Sequence, residues 1–257
     1  MSFSFHPATQ TDVPILAKIS DDAFRTDRHT RVKALNQTDY LESLMCGVLA
    51  SWIQQSDRYS VIKATDDYTN EIIGWVCWAT RRGDEQQPHT APQPGGENAK
   101  TEKPPQDSIK GSSVESEVAV KERSEDPLQV LESITNADMA RWQKIFMPTP
   151  TTKCMYIVAI TVSPAYQSHG VGSALIQWGT RKADADGLFC WVHASEAAHT
   201  SFAKKGFEEV GRLTVDLDKY APRPRDDGDG DPKWGLYTFR YMKRLPKETQ
   251  VSEIGGK

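Results

Sequence analysis

A mixed α/β sheet built around one strand-turn-helix unit is the fold that this 257-residue sequence predicts. Two patterns carry that reading. β-rich runs alternate with runs of helical period along the chain, and one continuous apolar run ends in a glycine-rich turn that opens straight into a helical stripe. A third feature, residues 83–126, interrupts the order without resembling its neighbours.

Phe3 and Phe5 alternate with Ser2, Ser4 and His6, which predicts a first strand ending at Pro7. A helix follows from about Asp12, with Pro14 in its first turn and Ile15, Leu16, Ile19 and Ala23 on one face. Leu41, Leu44, Met45, Val48, Leu49 and Trp52 mark a second helix. Tyr59 to Thr65 and Glu71 to Thr80 flank the turn-like Asp66-Asp67-Tyr68-Thr69-Asn70 and read as a hairpin. Leu128 to Met147 forms one or two helices. Tyr156 to Val162 is an apolar, β-branched run ended by Pro164, the pattern of a central strand covered on both faces. From Val171 the period changes, and Val171, Ala174, Leu175 and Trp178 make a helical stripe with Gly187 as its stop. A strand at Leu188 to His193, a short helix from His199 to Lys205, and strands at Glu209 to Leu217 and Gly235 to Lys243 complete the order.

Residues 83–126 contain no aromatic residue and only seven apolar ones, with five prolines and four glycines. Ten acids against five bases give this stretch a charge of −5, so the whole-chain value of −4 leaves the other residues at +1. It cannot bury enough apolar surface to offset its ordering entropy, and is expected to be a disordered insert within one domain spanning 1–257. A Pro/Gly-rich linker between two domains is the alternative.

The composition also excludes several classes. No apolar stretch approaches the roughly 18 residues of a membrane helix, and the N-terminus lacks the basic flank and apolar run of a secretory signal. A cytoplasmic location is expected, with the nucleus left open. Cys46, Cys77, Cys154 and Cys190 form no CxxC pair, so buried reduced thiols are expected rather than disulfides or a zinc site. Mild acidity argues against a nucleic-acid partner.

Chemistry concentrates at Gln167-Ser168-His169-Gly170-Val171-Gly172-Ser173, between the buried strand and the Val171 helix. A helix start presents unpaired N–H groups and a partial positive charge, and glycines let a ligand's oxygens come close to the backbone. That predicts a phosphate site, although an ordinary tight turn would use glycine too. The third glycine of a GxGxxG pattern would fall on Leu175, and no GxxxxGK[ST] occurs, so dinucleotide and P-loop readings lose support.

The wider stretch Val162-Ser163-Pro164-Ala165-Tyr166-Gln167-Ser168-His169-Gly170-Val171-Gly172-Ser173-Ala174-Leu175 resembles the acetyl-CoA signature of the GNAT superfamily of N-acetyltransferases, whose core is [R/Q]-x-x-G-x-[G/A]. Ala194-Ser195 and Lys205-Gly206-Phe207 are similar to that family's second motif, and Asp12, Ala23-Phe24 and Ile73-Gly74-Trp75 fit its usual layout. The resemblance covers about 210 residues. It implies a mixed, mostly antiparallel twisted sheet with flanking helices, splayed between the strands at Tyr156 to Val162 and Leu188 to His193.

The resemblance also implies roles. Backbone groups of Ile160, Thr161 and Val162 would bond the pantetheine arm of acetyl-CoA, and the Val162 N–H would polarise the thioester carbonyl. N–H groups from Gln167, Ser168, His169, Gly170, Val171, Gly172 and Ser173 would hold the pyrophosphate, with Ser195 and Phe202 beside the cofactor arm. The implied reaction is direct attack of a primary amine, small-molecule by first choice and a protein N-terminus or lysine by second, in a ternary complex. No metal is expected, and the chain would act as a monomer or homodimer.

An alkyl ammonium has a pKa near ~10.4, so a base or a desolvating site must take its proton. Here the sequence departs from the family pattern. Tyr156 stands where some members carry a glutamate base, and Phe202 where many carry a tyrosine acid. His193 is the replacement base, because strand alternation puts it on the face of Ser195; its alternative is a hydrogen-bonded histidine without a catalytic part. Tyr156, Tyr237 and Tyr241 are candidates for the acid. His199 reads as helix surface and His169 as a shaper of the phosphate turn. The run Asp226 to Asp231 lacks the glutamate of a calcium loop, since Tyr237 stands eleven residues after Asp226, and reads as a solvated acidic loop. A non-catalytic acyl-CoA-binding protein is the rival reading.

Overall fold

In this computed structural model the described residues are 1–35, 40–83, 126–226 and 232–247. The expected insert lies outside them apart from its two end residues, as does the acidic run after Asp226. Described residues form strands β1 (Phe3–Pro7), β2 (Tyr59–Asp66), β3 (Ile72–Arg82), β4 (Lys153–Val162), β5 (Phe189–Ala194), β6 (Glu208–Asp216) and β7 (Leu236–Arg244). The helices are α1 (Val13–Phe24), α2 (Arg28–Lys33), α3 (Tyr40–Gln54), α4 (Pro127–Phe146), α5 (Val171–Ala185) and α6 (His199–Ala203).

Local chemistry explains most of these boundaries. The Asp12 carboxylate accepts from the Thr9 N–H at 2.7 Å, and Pro14 sits in the first turn of α1. The buried arc of α1 is Val13, Leu16, Ala17, Ile19 and Ser20; Ile15, expected on that face, is 51% exposed because it projects from the far side of the helix. α2 is too short and polar to show a periodic stripe, and was not foreseen. The Asp27 carboxylate caps it, accepting from the Thr30 N–H at 2.9 Å. α4 is one continuous helix, opened by Asp126 and Pro127.

The sheet runs β1-β2-β3-β4-β5-β7-β6, and every neighbouring pair is antiparallel except β4 with β5. β3 and β4 pair directly although residues 84–125 separate them in sequence, so one sheet joins both parts of the chain. Strand alternation sends Trp75 to the face covered by α1, α3 and α4, and Trp78 to the face covered by α5 and α6. The Trp75 indole donates to the Leu16 carbonyl at 3.0 Å. On the opposite face, a Cβ at Gly179 would lie 2.1 Å from the Trp78 ring, so only glycine lets α5 lie this close.

One irregularity positions the site. Trp78 pairs with Ile157 and Cys77 with Ala159, which leaves Val158 as an extra residue in β4. The β4–β5 pairing ends at Ile157 and Val192, next to that bulge. Beyond it β4 continues along β3, while His193 and Ala194 of β5 continue along β7. The sheet therefore splits, as the resemblance implied, and the gap lies between residues 158–162 and 193–195.

Candidate active site

Two spaces meet in the gap. A cleft of about 690 Å³ lies on the α5 side, and a cavity of about 200 Å³ lies towards α1, α3 and α4. Phe24, Asp27, Thr161, Ser195, Phe202 and Tyr237 line both, and mark the junction.

The cleft contains a free strand edge and a helix start. Ser163 N–H donates to the Ile73 carbonyl at 2.9 Å, and Gly74 faces Val162 across the β3–β4 ladder. By alternation, Ile160 and Val162 turn their backbone groups to the edge that β5 has left, while Thr161 turns its own towards β3. Thr161 reaches the gap through its side chain instead, and its buried hydroxyl oxygen has no hydrogen-bond partner. The Gln167 side-chain amide donates to the Val162 carbonyl at 3.1 Å, tying the glycine turn to the strand end.

At the turn, Gly170 takes φ +86 as the N-cap of α5, a left-handed conformation that favours glycine, and Ser168 shares that region at φ 64. Gly172 has a different explanation. A Cβ there would make only an ordinary 3.5 Å contact with Val162, so packing does not demand glycine; the missing side chain leaves the N–H groups at the start of α5 open to the cleft. A free strand edge leading to an open helix start suits an extended ligand with an anionic end, the shape and charge of acetyl-CoA. Ile160, Thr161, Val162, Gln167, Ser168, Gly170, Gly172, Ser173, Ser195 and Phe202 all border the cleft. Two expected residues do not: His169 turns back so that Nδ1 donates to the Gln167 carbonyl at 2.7 Å, and the Val171 side chain is buried in the core under α5.

Side chains dominate the cavity. Trp52, Trp75, Tyr156, Trp191 and Phe239 supply aromatic wall, and His29, His193 and Asp27 supply polar groups. His193 is sandwiched between Phe239 and Tyr241, with ring centroids 4.7 and 4.6 Å away, and its Nε2 is buried without a partner. Burial pushes its imidazole down to about 4, against a smaller opposing pull from Asp138. Such a histidine is neutral at pH 7 and can accept a proton.

The tyrosines divide by position. Tyr156 stacks on Trp191 at 4.9 Å inside the cavity, and burial raises its hydroxyl well above the usual range, so it can hold a proton but not act as a base. Tyr237 stands at the junction instead, where its hydroxyl donates to Asp27 at 2.6 Å; burial first, then the Asp27 charge, raise it. Tyr241 lies behind His193, outside both linings, with burial and the Asp138 charge holding its proton. His199 donates from Nδ1 to the Glu196 carbonyl at 2.7 Å and lines neither space.

Sequence reasoning missed His29 and Asp27. Both belong to the α2 segment, which Arg28 fastens across the gap by donating to the Trp234 carbonyl at 2.6 Å, the Leu236 carbonyl at 2.8 Å and Glu196 at 2.6 Å. No local motif marks these residues; only the chain path brings them to β5 and β7.

Residues 137–207, from α4 through the glycine turn to the residue after Gly206, match the model of the acetyltransferase (GNAT) family. A putative arylalkylamine N-acetyltransferase 7 from the yellow fever mosquito Aedes aegypti superimposes with a TM-score of 0.57 at 13% identity, over 95% of this chain and 87% of that one. A mosquito arylalkylamine N-acetyltransferase-like 5b gives 0.54 at 13% identity, over 95% and 100%. A histone acetyltransferase HPA2 and related acetyltransferase from Corynebacterium glutamicum gives 0.52 at 19% identity, over 98% and 100%. At such identities the likeness establishes the fold. No curated protein matches the sequence.

Proposed function

We propose that this chain, which has the GNAT fold and carries that family's acetyltransferase segment at 137–207, transfers the acetyl group of acetyl-CoA to the primary amine of a small molecule. The observation that carries the reading is the junction: a cleft suited to an extended anionic thioester opens, at Thr161, Ser195 and Tyr237, onto a separate aromatic cavity.

In the balanced reaction the amine nitrogen bonds to the acetyl carbon, the carbon–sulfur bond breaks, and the CoA sulfur leaves with the bonding pair. The nitrogen sheds two protons from its ammonium form. One goes to a neutral imidazole in the cavity, and the other restores the proton that Tyr237, at the junction, would give to the departing sulfur. The Val162 N–H, on the free edge, would stabilise negative charge on the carbonyl oxygen.

Cavity size and lining favour a small acceptor. At about 200 Å³ it falls below the usual ~300–1,000 Å³ of ligand pockets, and its aromatic faces suit an apolar body bearing one ammonium. Tyr156 and Phe202, in place of the usual acid and base, favour a non-catalytic acyl-CoA binder as the second reading; Phe202 packs edge-on against Phe207 rather than offering any proton.

Calorimetry with acetyl-CoA and CoA, followed by thiol release across small amines and peptides, tests both. Binding of both CoA species with thiol release for small amines is the expected result. Failure to bind either would overturn the proposal, binding without transfer would favour the second reading, and transfer to peptides alone would replace the acceptor class.

A further inference from the structure

We infer that His29 is a second catalytic base, and that it shares with His193 the task of receiving the acceptor's proton. This rests on the N-acetyltransferase reading above and adds a residue to it. Both imidazoles line the cavity rather than the cleft, and in both Nε2 is buried without a hydrogen-bond partner. A buried polar nitrogen left unpaired is unfavourable, and neither Nε2 has a hydrogen bond within the protein to offset that.

The two rings converge on one residue. His29 packs edge-on to Phe239 at 4.8 Å while His193 stacks on it at 4.7 Å, and Tyr237 and Tyr241 close the outer sides at 5.5 and 4.6 Å. His193 is held by its faces and His29 by an edge-on contact with Phe239 and a tilted one with Tyr237, and both residues line the cavity with Nε2 unpartnered. Burial first, then the positive Lys33 on the same helix and His193 itself, hold His29 well below the ordinary imidazole value. His193 faces Asp138 on α4, which favours its charged form. A charge on His193 opposes one on His29, so the two imidazoles are electrostatically linked. In the step, an ammonium N–H bond breaks, its electrons stay on nitrogen, and the proton bonds to one Nε2; bulk water takes it after the product leaves.

The test uses the full chain with acetyl-CoA and 2-phenylethylamine, comparing wild type with His29→Gln, His193→Gln and the double variant. Histidine ring resonances followed by NMR against pH supply a measurement that does not depend on turnover. Both midpoints should lie below 6.5, and that of His29 should rise in His193→Gln as the repulsion is lifted. Each single variant should lose about 10- to 100-fold in kcat with acetyl-CoA affinity unchanged, and the double variant should lose little more than the worse single. Full turnover in His29→Gln, or a His29 midpoint that ignores His193, overturns this inference alone. Thiol release absent from the wild type overturns it together with the small-amine reading. Should His29→Gln melt, the wild-type and His193→Gln titrations decide.

Discussion

On the α5 side of the split sheet, the cleft contains the free edge of β4 and the start of α5, both drawn from residues 160–173. On the other side stand side chains, with Trp52 from α3, Trp75 from β3, Trp191 and His193 from β5, Phe239 from β7 and His29 from α2. The cleft's strand edge and glycine turn are local in sequence, although residues 23–28, residues 195–204 and Tyr237 complete its walls. The cavity is assembled from distant positions, and each of its groups is also part of the core. Binding and stability are therefore separable on one side and entangled on the other.

The largest expected effect tests the entangled side. Trp191 is stacked between Tyr156 and Phe146, so Trp191→Ala should cost about 3–5 kcal/mol in denaturant unfolding as well as turnover. Activity lost with stability intact would show the cavity to be less built into the core than its packing indicates. Gly172→Asp tests the separable side. That Cβ would make only an ordinary contact with Val162, and under the proposed function a carboxylate there would face the diphosphate, so acetyl-CoA affinity should fall by about 100-fold in calorimetry while the melting temperature barely moves. The smallest effect is the acid dependence of folding. His193 is held near 4 when folded but near 6.5 when unfolded, so the unfolded chain binds more protons in that window. Stability is complete above about pH 6.5 and falls as pH drops towards 4, by up to about 1.4 kcal/mol per pH unit from this residue. Denaturation at pH 7 and pH 5 should show that loss in wild type and a shallower one in His193→Gln.

Legibility in the sequence divides along the same line. Gly170, Gly172 and the apolar run before them announced the cleft because backbone conformation is written locally, in which residues tolerate positive φ or leave N–H groups bare. His193 could be placed by counting two residues from Ser195 on a strand. His29 could not, since its neighbours lie on β7, some 210 residues away in the chain, and a six-residue polar helix carries no period. Ile15 misled in the opposite direction: it is apolar and at helical spacing from Ile19, but the core takes a narrower arc of α1 than hydrophobicity marks.

Val158 finally sets a conflict between folding and activity. Without that one surplus residue, β4 could keep its ladder with β3 unbroken and continue hydrogen-bonding to β5 past Ile157. A chain lacking Val158 is expected to gain ladder bonds and to close the gap between residues 158–162 and 193–195. A single-residue deletion is thus a route by which this sheet could become sturdier at the expense of its opening, since the gap begins at a miscount between two strands.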